Sequence, residues 1–503
     1  MTTVEIRGRI GPRALEDLLG TWANGGQSAY EALADRIRLL IIDGRLPTGT
    51  RLPAERELAE TLGRSRTTIV SAYRQLRETG HLVSVRGSGS ATMLPPTPLP
   101  AGPEPHDVVV DFARAAPAAI SGLENVVERA TRNIGTVLTK TGFDLVGSVE
   151  LRERIAAHYA ARGLPTSADE IMITLGAQHA IALVSRTLLR PADRVLVESP
   201  TYPHALDAFR GAGGRLVTTP VTTRGWDLDQ LRDTLERVRP ALAYLQLDFQ
   251  NPTGASMPPD QRDDVIRAAR RTGTVIVIDD TTADLDLGRG WTDVPFAARA
   301  DTAVGGRSSG HAGGARSPRT HAAGQPAVIT LGSLGKSVWG GLRIGWVRAD
   351  GDVLRSLRAA RAASDLGNPE LEQLIACEVF DDYPALLERR IAQLRHQRDV
   401  LVGELRSRMP SWDVPVPDGG ASLWVGLGAP ISSTLALFGL TRGVHVIAGP
   451  RFGADGAFER FARIPYTLSA EDLVRGVHAL ADTARALPAL PLPAGTTQLA
   501  EVV

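Results

Sequence analysis

The sequence predicts an α/β protein in two parts: a small helical unit with a β-hairpin, and a larger domain built on a mostly parallel sheet. Three observations predict this division. Residues 28–93 hold three helical segments and a hairpin, residues 94–109 are rich in proline, and strand-like runs alternate with helical stretches over residues 110–485. A chain of 503 residues is long enough for more than one folding unit.

The composition is that of a soluble globular protein, with 43% hydrophobic and 22% charged residues. A formal net charge of zero argues against a wholly basic nucleic-acid coat protein, but it allows a small DNA-binding part on a neutral body. No apolar run approaches membrane-spanning length, and the N-terminus lacks a signal-peptide pattern. We therefore expect no membrane contact. The single Cys377 excludes an internal disulfide, so we expect a cytoplasmic protein.

The first unit predicts a winged helix-turn-helix. Its first helix carries one apolar face, its second follows Pro53 and closes at Gly63, and its third is capped by Ser65 and ends at Gly80. The segments HLVSV and SATML flank RGSG, which indicates a hairpin with a glycine tip. The residues expected on the apolar face of the first helix are Tyr30, Leu33, Ile37, Leu40 and Ile41.

Residues 28–93 resemble the GntR family of bacterial transcription regulators, and the resemblance implies binding to double-stranded DNA. Short polar and arginine side chains at the start of the third helix suit base edges and phosphates, and a narrow wing tip suits the minor groove. A helical bundle used only for protein contacts is the alternative. The expected DNA-binding residues are Arg51, Ser65, Arg66, Thr67, Thr68, Arg86 and Gly87.

Two further segments interrupt the pattern of helices and strands. Residues 94–106 contain six prolines, so we interpret residues 94–109 as a stiff, extended linker. Residues 297–326 are rich in Gly, Ala, Ser and Arg and predict an inserted loop. We expect the tail after about residue 484 to be loosely ordered.

The second part, residues 110–485, shows the βαβ rhythm of a parallel sheet covered by helices on both faces. The predicted strands are EIMIT, RVLVES, GRLVTTP, LAYLQLD, TVIVIDD and AVITLGS.

Lys336 is the residue in this domain that points to a specific chemistry. The chain has 56 Lys plus Arg, of which only Lys140 and Lys336 are lysine. Arginine replaces lysine as a charge but not as an amine nucleophile, and a lysine amine forms a Schiff base with an aldehyde cofactor, of which pyridoxal 5′-phosphate is the common one.

The other groups that such a cofactor needs are present. Asp279 ends a buried strand and can keep the pyridinium nitrogen protonated, Asn251 in QNPTG can donate to the ring oxygen, and Tyr202 can stack on the ring. A strand-to-helix turn and two side chains near Lys336 can bind the phosphate. These phosphate-binding candidates are Gly176, Ala177, Gln178, Ser333 and Arg343.

The order of these motifs resembles the fold-type-I, aminotransferase-like pyridoxal-phosphate proteins. The resemblance implies that Lys336 is the catalytic lysine and that Arg463 in FARIPY grips a substrate carboxylate. Joined to the winged helix, the whole chain resembles the MocR/GabR family of regulators, which implies a head-to-tail homodimer that reads paired half-sites. No metal site is expected.

The chain departs from that family at Thr281, where the family has a tyrosine that bonds the cofactor's ring oxygen. Three functions stay open. The first is a regulator that senses an amino compound through an aldimine on Lys336, and the second is a regulator that senses pyridoxal phosphate itself. The third is an active transaminase with an appended DNA-binding domain, although the loss of the tyrosine predicts weaker cofactor affinity and less efficient turnover.

Overall fold

The computed structural model of the chain describes residues 8–20, 22, 28–42, 46, 49–85, 89–93, 110–302, 327–454 and 457–487. The predicted linker, residues 94–109, lies outside the described residues.

The N-terminal unit folds as a winged helix-turn-helix, which confirms the prediction. Its four strands form one sheet in the order β1-β2-β4-β3, and β3 and β4 form the antiparallel wing. The elements are β1 (Gly8–Arg9), α1 (Pro12–Leu19), α2 (Ala29–Ile42), β2 (Thr50–Arg51), α3 (Glu55–Thr61), α4 (Arg66–Glu78), β3 (Leu82–Val85) and β4 (Gly89–Thr92).

The core of this unit forms because each helix turns one apolar stripe inward. Ile37 and Leu40 of α2 pack with Leu58 of α3 and Ile69 of α4, and all four are buried. The start of α4 is fixed by Ser65, whose side chain accepts a hydrogen bond from the Thr68 amide at 3.1 Å. The predicted helix cap is therefore confirmed.

Two features of this unit differ from the sequence prediction. The segment that forms β1 and α1 was not predicted, yet Leu15 and Leu19 are buried in the same core. Tyr30 was predicted on the apolar face, but its side chain is exposed. It lies in the first turn of α2, beyond the reach of the core, and its hydroxyl lies 3.4 Å from Glu31.

The large domain contains the remaining elements. Its strands are β5 (Val110–Asp111), β6 (Ile171–Thr174), β7 (Arg194–Ser199), β8 (Arg215–Thr222), β9 (Gly225–Trp226), β10 (Leu242–Leu245), β11 (Val275–Asp279), β12 (Val328–Ser333), β13 (Gly345–Arg348), β14 (Ser422–Gly426), β15 (Val444–His445), β16 (Ile447–Ala448) and β17 (Phe461–Pro465). Its helices are α5 (Leu123–Arg132), α6 (Gly135–Leu138), α7 (Val149–Ala161), α8 (Ala177–Leu188), α9 (Pro203–Gly211), α10 (Leu228–Val238), α11 (Pro259–Thr272), α12 (Phe296–Thr302), α13 (Gly351–Arg361), α14 (Glu370–Asp381), α15 (Tyr383–Arg408), α16 (Ser432–Leu440) and α17 (Ala470–Ala486).

The central sheet has eight strands in the order β6-β13-β12-β11-β10-β7-β8-β9. From β12 to β8 every neighbouring pair is parallel, and β13 is antiparallel to both of its neighbours. β6, β10 and β11 are buried along their whole length because helices cover both faces of the sheet. The prediction of a mostly parallel sheet is confirmed.

The strand order brings several chain segments to one edge of the sheet. β6, β7, β10, β11 and β12 run in the same direction, so their carboxyl ends meet at that edge. In open α/β sheets, ligands bind outside the carboxyl ends of the strands.

A smaller antiparallel sheet, β14-β17-β16, follows the long helix α15. Apolar residues of α15, α16 and α17 pack on it and bury its strands. β17 carries Arg463, which lies opposite Trp424 of β14 and Ile447 of β16.

The prediction of a loop over residues 297–326 is wrong for its first part. Residues 297–302 continue α12, because Phe296, Ala297 and Ala298 are buried against the large domain and alanine favours a helix. Arg299 adds a bidentate contact to Asp293, with both nitrogen–oxygen distances at 2.8 Å. Residues 303–326 and the tail beyond residue 487 lie outside the described residues.

Within the described part of the chain, no helix is both long and apolar enough to cross a membrane.

Candidate functional site

A cavity of about 410 Å³ opens at the carboxyl edge of the central sheet. Its walls come from the loops that follow β6, β7, β10, β11 and β12, together with residues 115–116 and 419–422. All nine residues predicted to bind the cofactor line this one cavity: Lys336, Asp279, Asn251, Tyr202, Gly176, Ala177, Gln178, Ser333 and Arg343.

Lys336 follows β12 in a single π-helical turn over residues 335–339. Its Nζ donates to the Ala115 carbonyl at 2.8 Å. Burial, aided by the positive charge of Arg463, lowers the pKa of Lys336 from 10.5 to about 8, and Asp279 opposes that shift. A larger share of this amine is therefore neutral, and nucleophilic, at physiological pH than for an ordinary lysine.

Asp279 ends β11 with its carboxylate bound by three donors. The Tyr244 hydroxyl donates to Oδ2, and the Thr281 hydroxyl and amide donate to Oδ1 at 2.6 Å and 3.1 Å. Thr281, which stands where the family resemblance predicts tyrosine, thus turns its hydroxyl toward the carboxylate.

Asn251 lies in the turn after β10, and its backbone N–H donates to Gln246 Oε1 at 2.9 Å. Its side-chain Oδ1 is buried and has no hydrogen-bond partner among the described residues. Because a buried polar atom without a partner is costly, an orphaned amide oxygen beside a cavity indicates a ligand-facing group.

The turn between β6 and α8 forms a cradle for an anion. Gly176 caps α8 with φ of 89°, and a Cβ added there would lie 2.9 Å from Arg343 Nη2. A Cβ added at Gly345 would lie 2.6 Å from the Gly176 carbonyl carbon, so two glycines allow the turn to approach. The first amides of α8, at Ala177 and Gln178, carry the positive end of the helix dipole.

Ser333 and Arg343 complete the cradle on its Lys336 side. Ser333 Oγ accepts from the Gly335 amide at 3.0 Å and donates to the Ile344 carbonyl at 3.2 Å. Arg343 Nη2 donates to the Leu175 carbonyl, which ties the guanidinium to the β6–α8 turn.

Tyr202 and His204 form the wall next to this cradle. Their rings meet edge to face with centroids 5.5 Å apart, and burial raises the pKa of Tyr202 to about 12. The Gln178 side chain donates to the His204 carbonyl at 3.1 Å and joins the two loops. A neutral phenol ring at this place suits stacking on a flat ligand.

Arg463, predicted to bind a substrate carboxylate, does not line the cavity. Its side chain is fully buried, with its guanidinium 5.2 Å from the Phe452 ring and Nη2 donating to the Ala113 carbonyl. Nε has no hydrogen-bond partner among the described residues, and burial lowers the pKa of Arg463 to about 10.

These groups fit pyridoxal phosphate. The cavity offers an amine with a lowered pKa, a carboxylate at a strand end, an orphaned amide, and a glycine cradle next to an arginine. Those are the partners of an aldehyde, a pyridine nitrogen, a ring oxygen and a phosphate. The fit rests on the donor set and on the space left by Gly176 and Gly345.

The predicted DNA-binding residues lie on one unit but have different surroundings. Arg66 and Thr67 are exposed at the start of α4. Ser65 and Thr68 contact each other through their hydroxyls at 2.8 Å, so Ser65 serves the helix cap. Arg51 of β2 lies beside Gly89 of the wing, because a Cβ added at Gly89 would be 3.7 Å from Arg51 Nε. Arg86 and Gly87 lie outside the described residues.

Two of the residues that the sequence analysis did not single out are Tyr244, which contacts Asp279 from behind the cavity, and Phe249, which lines it. Tyr244 sits in a fully buried strand beside Asp279, and a phenol in such a strand needs a polar partner, which was an available signal. Phe249 lines the cavity at φ of 52°, a left-handed conformation that no sequence pattern predicted.

Two families match the chain. Residues 118–480 match the family Aminotransferase class I and II, and residues 29–91 match Bacterial regulatory proteins, gntR family. A 2-aminoadipate transaminase of Thermus thermophilus is 31% identical over 66% of this chain and 79% of its own length. The HTH-type transcriptional regulator TauR of Rhodobacter capsulatus is 27% identical over 88% of this chain and 94% of its own length.

Solved structures resemble the large domain. The aminotransferase LysN of Thermus thermophilus, complexed with N-(5′-phosphopyridoxyl)-L-leucine, superposes with a TM-score of 0.67 at 29% identity, over 76% of this chain and 93% of its own. The kynurenine aminotransferase of Pyrococcus horikoshii superposes with a TM-score of 0.63 at 26% identity, over 75% of this chain and 91% of its own.

Proposed function

The chain belongs to the aminotransferase class I and II family with a gntR-family domain in front, as in the MocR/GabR regulators, and we propose that it is a transcription regulator that binds DNA and senses a small molecule at Lys336. The family and its solved relatives indicate pyridoxal phosphate as the cofactor. The observation that carries the proposal is that all nine predicted cofactor residues line one cavity. That cavity belongs to the domain that follows the gntR-family domain in the chain. We propose domains at residues 28–93 and 110–485.

When bound, pyridoxal phosphate supplies an aldehyde that condenses with amines and a ring that draws electrons. We propose that Lys336 is the amine that holds it covalently and that Asp279 faces the ring nitrogen. The side-chain NH2 group of Asn251 would donate to the ring oxygen, and Tyr202 would lie against the ring face. The lowered pKa of Lys336 supports the first assignment, because the neutral amine is the nucleophile.

The phosphate of the cofactor belongs at the β6–α8 turn. Gly176, Ala177 and Gln178 present backbone amides there, and Arg343 and Ser333 add a cation and a hydroxyl. A phosphate is also the ligand best matched to a helix N-terminus beside an arginine.

The sensed molecule is an amino compound or pyridoxal phosphate itself. An amino compound with a carboxylate fits best, because Arg463 is a buried cation that is not paired with a carboxylate in the described part of the chain. A carboxylate bound there would lie beside the Ala113 carbonyl that accepts from Arg463 Nη2, so the ligand would contact the segment just after the predicted linker. The linker joins that segment to the DNA-binding unit.

DNA binding is supported by the gntR-family domain. We propose that Arg66, Thr67 and Thr68 face base edges and phosphates, with Arg51 and the wing residues Arg86 and Gly87 at the flanks. Ser65 holds α4 in place for these contacts. We propose a cytoplasmic protein, because DNA binding requires access to the chromosome.

A head-to-tail homodimer would supply paired DNA-binding units for paired half-sites. Two leucines, a phenylalanine and a tryptophan are among the large apolar side chains exposed on the large domain, and such exposure commonly marks an interface. Two of them are neighbours across the bridge between Asp144 and Gly367. The four residues are Leu138, Phe143, Trp339 and Leu366.

The regulator proposal is tested with DNA from upstream of the protein's own gene. We expect a gel shift with the purified protein, and a change of that shift when pyridoxal phosphate and a panel of amino acids are added. Lys336→Ala should abolish the response while retaining DNA binding. Lys140→Ala, at the only other lysine, should behave as wild type.

Covalent attachment is tested separately. Borohydride reduction should fix the cofactor on the peptide that contains Lys336 and not on the peptide that contains Lys140. An unmodified Lys336 in the reduced, cofactor-loaded protein would refute the assignment.

A working transaminase is the second candidate function, supported by the 31% identity to a 2-aminoadipate transaminase. In that case Lys336 would also move a proton between the substrate Cα and the adjacent cofactor carbon. Incubation with amino acids and a keto acid separates the two: steady turnover supports the enzyme, and a single spectral change with an altered gel shift supports the regulator.

A further inference from the structure

We propose that Tyr244 and Thr281 are positioning residues for Asp279, and that together they weaken the hold of its carboxylate on a protonated cofactor nitrogen. The inference deepens the proposed function and rests on it in one respect, namely that Asp279 faces the ring nitrogen of pyridoxal phosphate.

Tyr244 approaches Asp279 from the neighbouring strand. It lies opposite Val277 in the parallel pair of β10 and β11, and Val277 and Asp279 point to the same face of β11. The phenol therefore projects to the side where the carboxylate lies, and it donates to Oδ2. Its ring is fully buried and packs edge to face on Phe209, with centroids 5.5 Å apart.

Thr281 lies two residues after Asp279 in the chain. Its amide and hydroxyl both donate to Oδ1, at 3.1 Å and 2.6 Å, and the residue lines the cavity. A tyrosine at this position has no hydroxyl on Cβ, so it cannot make the 2.6 Å contact. The exchange of tyrosine for threonine thus replaces a predicted contact to the cofactor with a second side-chain contact to the carboxylate.

The two hydroxyls change how strongly Asp279 acts on a neighbouring cation. Hydrogen bonds to a carboxylate stabilise its negative charge, so less of that charge is available to stabilise a protonated pyridine nitrogen. Removing one hydroxyl should therefore raise the pH at which the ring nitrogen loses its proton. The three donors also fix the plane of the carboxylate, which orients it toward the cavity.

Other titratable groups near Asp279 come from the elements packed around β11. Glu198 of β7 is fully buried, and burial raises its pKa to about 8, with Asp279 adding to the shift. Lys336 and Tyr202 face the same cavity. Burial, with Asp279 adding to it, raises the pKa of Tyr244 well above 10, so its phenol remains a donor throughout the physiological range.

The test measures the ring nitrogen directly. Pyridoxal phosphate labelled with ¹⁵N in the ring is fixed on Lys336 by borohydride, and the ¹⁵N chemical shift is followed against pH. We expect Thr281→Val to raise the titration midpoint by roughly 0.5–1 pH unit, because one charge-stabilising donor is lost at nearly constant volume. Tyr244→Phe should move it in the same direction, and the double variant should move it furthest.

Three controls separate this effect from a loss of folding. Thr281→Ser keeps the hydroxyl and should restore the wild-type midpoint. Thr234→Val makes the same substitution in α10, where the hydroxyl donates to the Gln230 carbonyl and the residue does not line the cavity, and it should leave the midpoint in place. Thermal unfolding of each variant records stability independently of the titration.

Coincident midpoints for Thr281→Val and wild type would overturn the proposal, as would a lower midpoint in the variant. A loss of thermal stability without a shifted midpoint would assign Thr281 a purely structural role and overturn it as well. If the labelled cofactor is not fixed on Lys336 of the wild-type protein, the cofactor assignment itself fails and the proposal falls with it.

Discussion

The lowered pKa of Lys336 predicts how fast the apoprotein takes up pyridoxal phosphate as the pH changes. Burial next to Arg463 lowers that pKa from 10.5 to about 8. At pH 7 roughly one amine in ten is then neutral, compared with about one in 3,000 for an ordinary lysine. The site thus holds on the order of 300 times more reactive amine at neutral pH than an exposed lysine.

The assay is stopped-flow absorbance of cofactor capture by the apoprotein over a range of pH. We expect the capture rate to rise about tenfold per pH unit below the midpoint and to level off above about pH 8. Arg463→Met removes one cause of the shift, so its midpoint should lie higher than that of the wild type. Lys140→Met serves as the control, since Lys140 is exposed and remote from the cavity.

The same shift has a consequence for stability, and its sign is opposite to that of a salt-bridged lysine. Between about pH 8 and 10.5 the unfolded chain still holds a proton that the folded chain has lost, so the free energy of unfolding of the apoprotein should increase with pH across that window. A capture rate that keeps rising tenfold per unit toward about pH 10 would refute the reasoning, because Lys336 would then titrate as an exposed lysine.

Four further outcomes are expected. Arg463→Met should weaken amino-acid binding by the loaded protein roughly 10- to 100-fold in a spectral titration, whereas Arg460→Met, at an exposed arginine, should not. Gly176→Ala should weaken cofactor affinity about tenfold because its Cβ would meet Arg343 at 2.9 Å, while Gly135→Ala, in open space, should leave the affinity unchanged. Arg262→Met should lower the free energy of unfolding by roughly 3–5 kcal/mol, because buried Asp248 loses one of its two arginine partners; the exposed pair of Arg232 and Asp229 provides a control worth less than about 1 kcal/mol. Ser65→Ala should cost the DNA-binding unit about 1 kcal/mol in chemical denaturation, and Ser65→Asp should retain the cap.

The parts of the fold that could be predicted from sequence are those set by local chemistry. Glycine closed helices at Gly63 and Gly80, Ser65 capped α4, and continuous apolar runs identified the buried strands because parallel strands have two covered faces. The β1–α1 segment was not predicted, because its two buried leucines form an apolar stripe that is too short to detect by periodicity. Residues 297–302 were predicted as a loop for a related reason. Only their contact with the rest of the large domain distinguishes an alanine-rich helix from an alanine-rich loop.

The grouping of the nine candidate residues around one cavity could be predicted because each lies at or after the end of a strand of the same sheet, and parallel strands bring their carboxyl ends together. What could not be predicted is which side chain contacts which. Thr281 was read as a missing tyrosine, yet its hydroxyl contacts Asp279. Arg463 was predicted to grip a substrate carboxylate, yet it does not line the cavity and donates to a backbone carbonyl. Such pairings depend on rotamers, which neighbours in space decide.

We propose that ligand binding at the cavity reaches the DNA-binding unit through the segment that follows the predicted linker. Two backbone carbonyls, at Ala113 and Ala115, accept hydrogen bonds from Arg463 and Lys336, the two groups assigned to a carboxylate and to the cofactor. A ligand at either donor would therefore lie beside a carbonyl of this segment and change the hydrogen bond that it accepts. The segment starts at β5, directly after the predicted linker, and is anchored to β15 through Val110 and Asp111. We propose that a ligand at Arg463 acts on the winged helix through these first residues after the predicted linker.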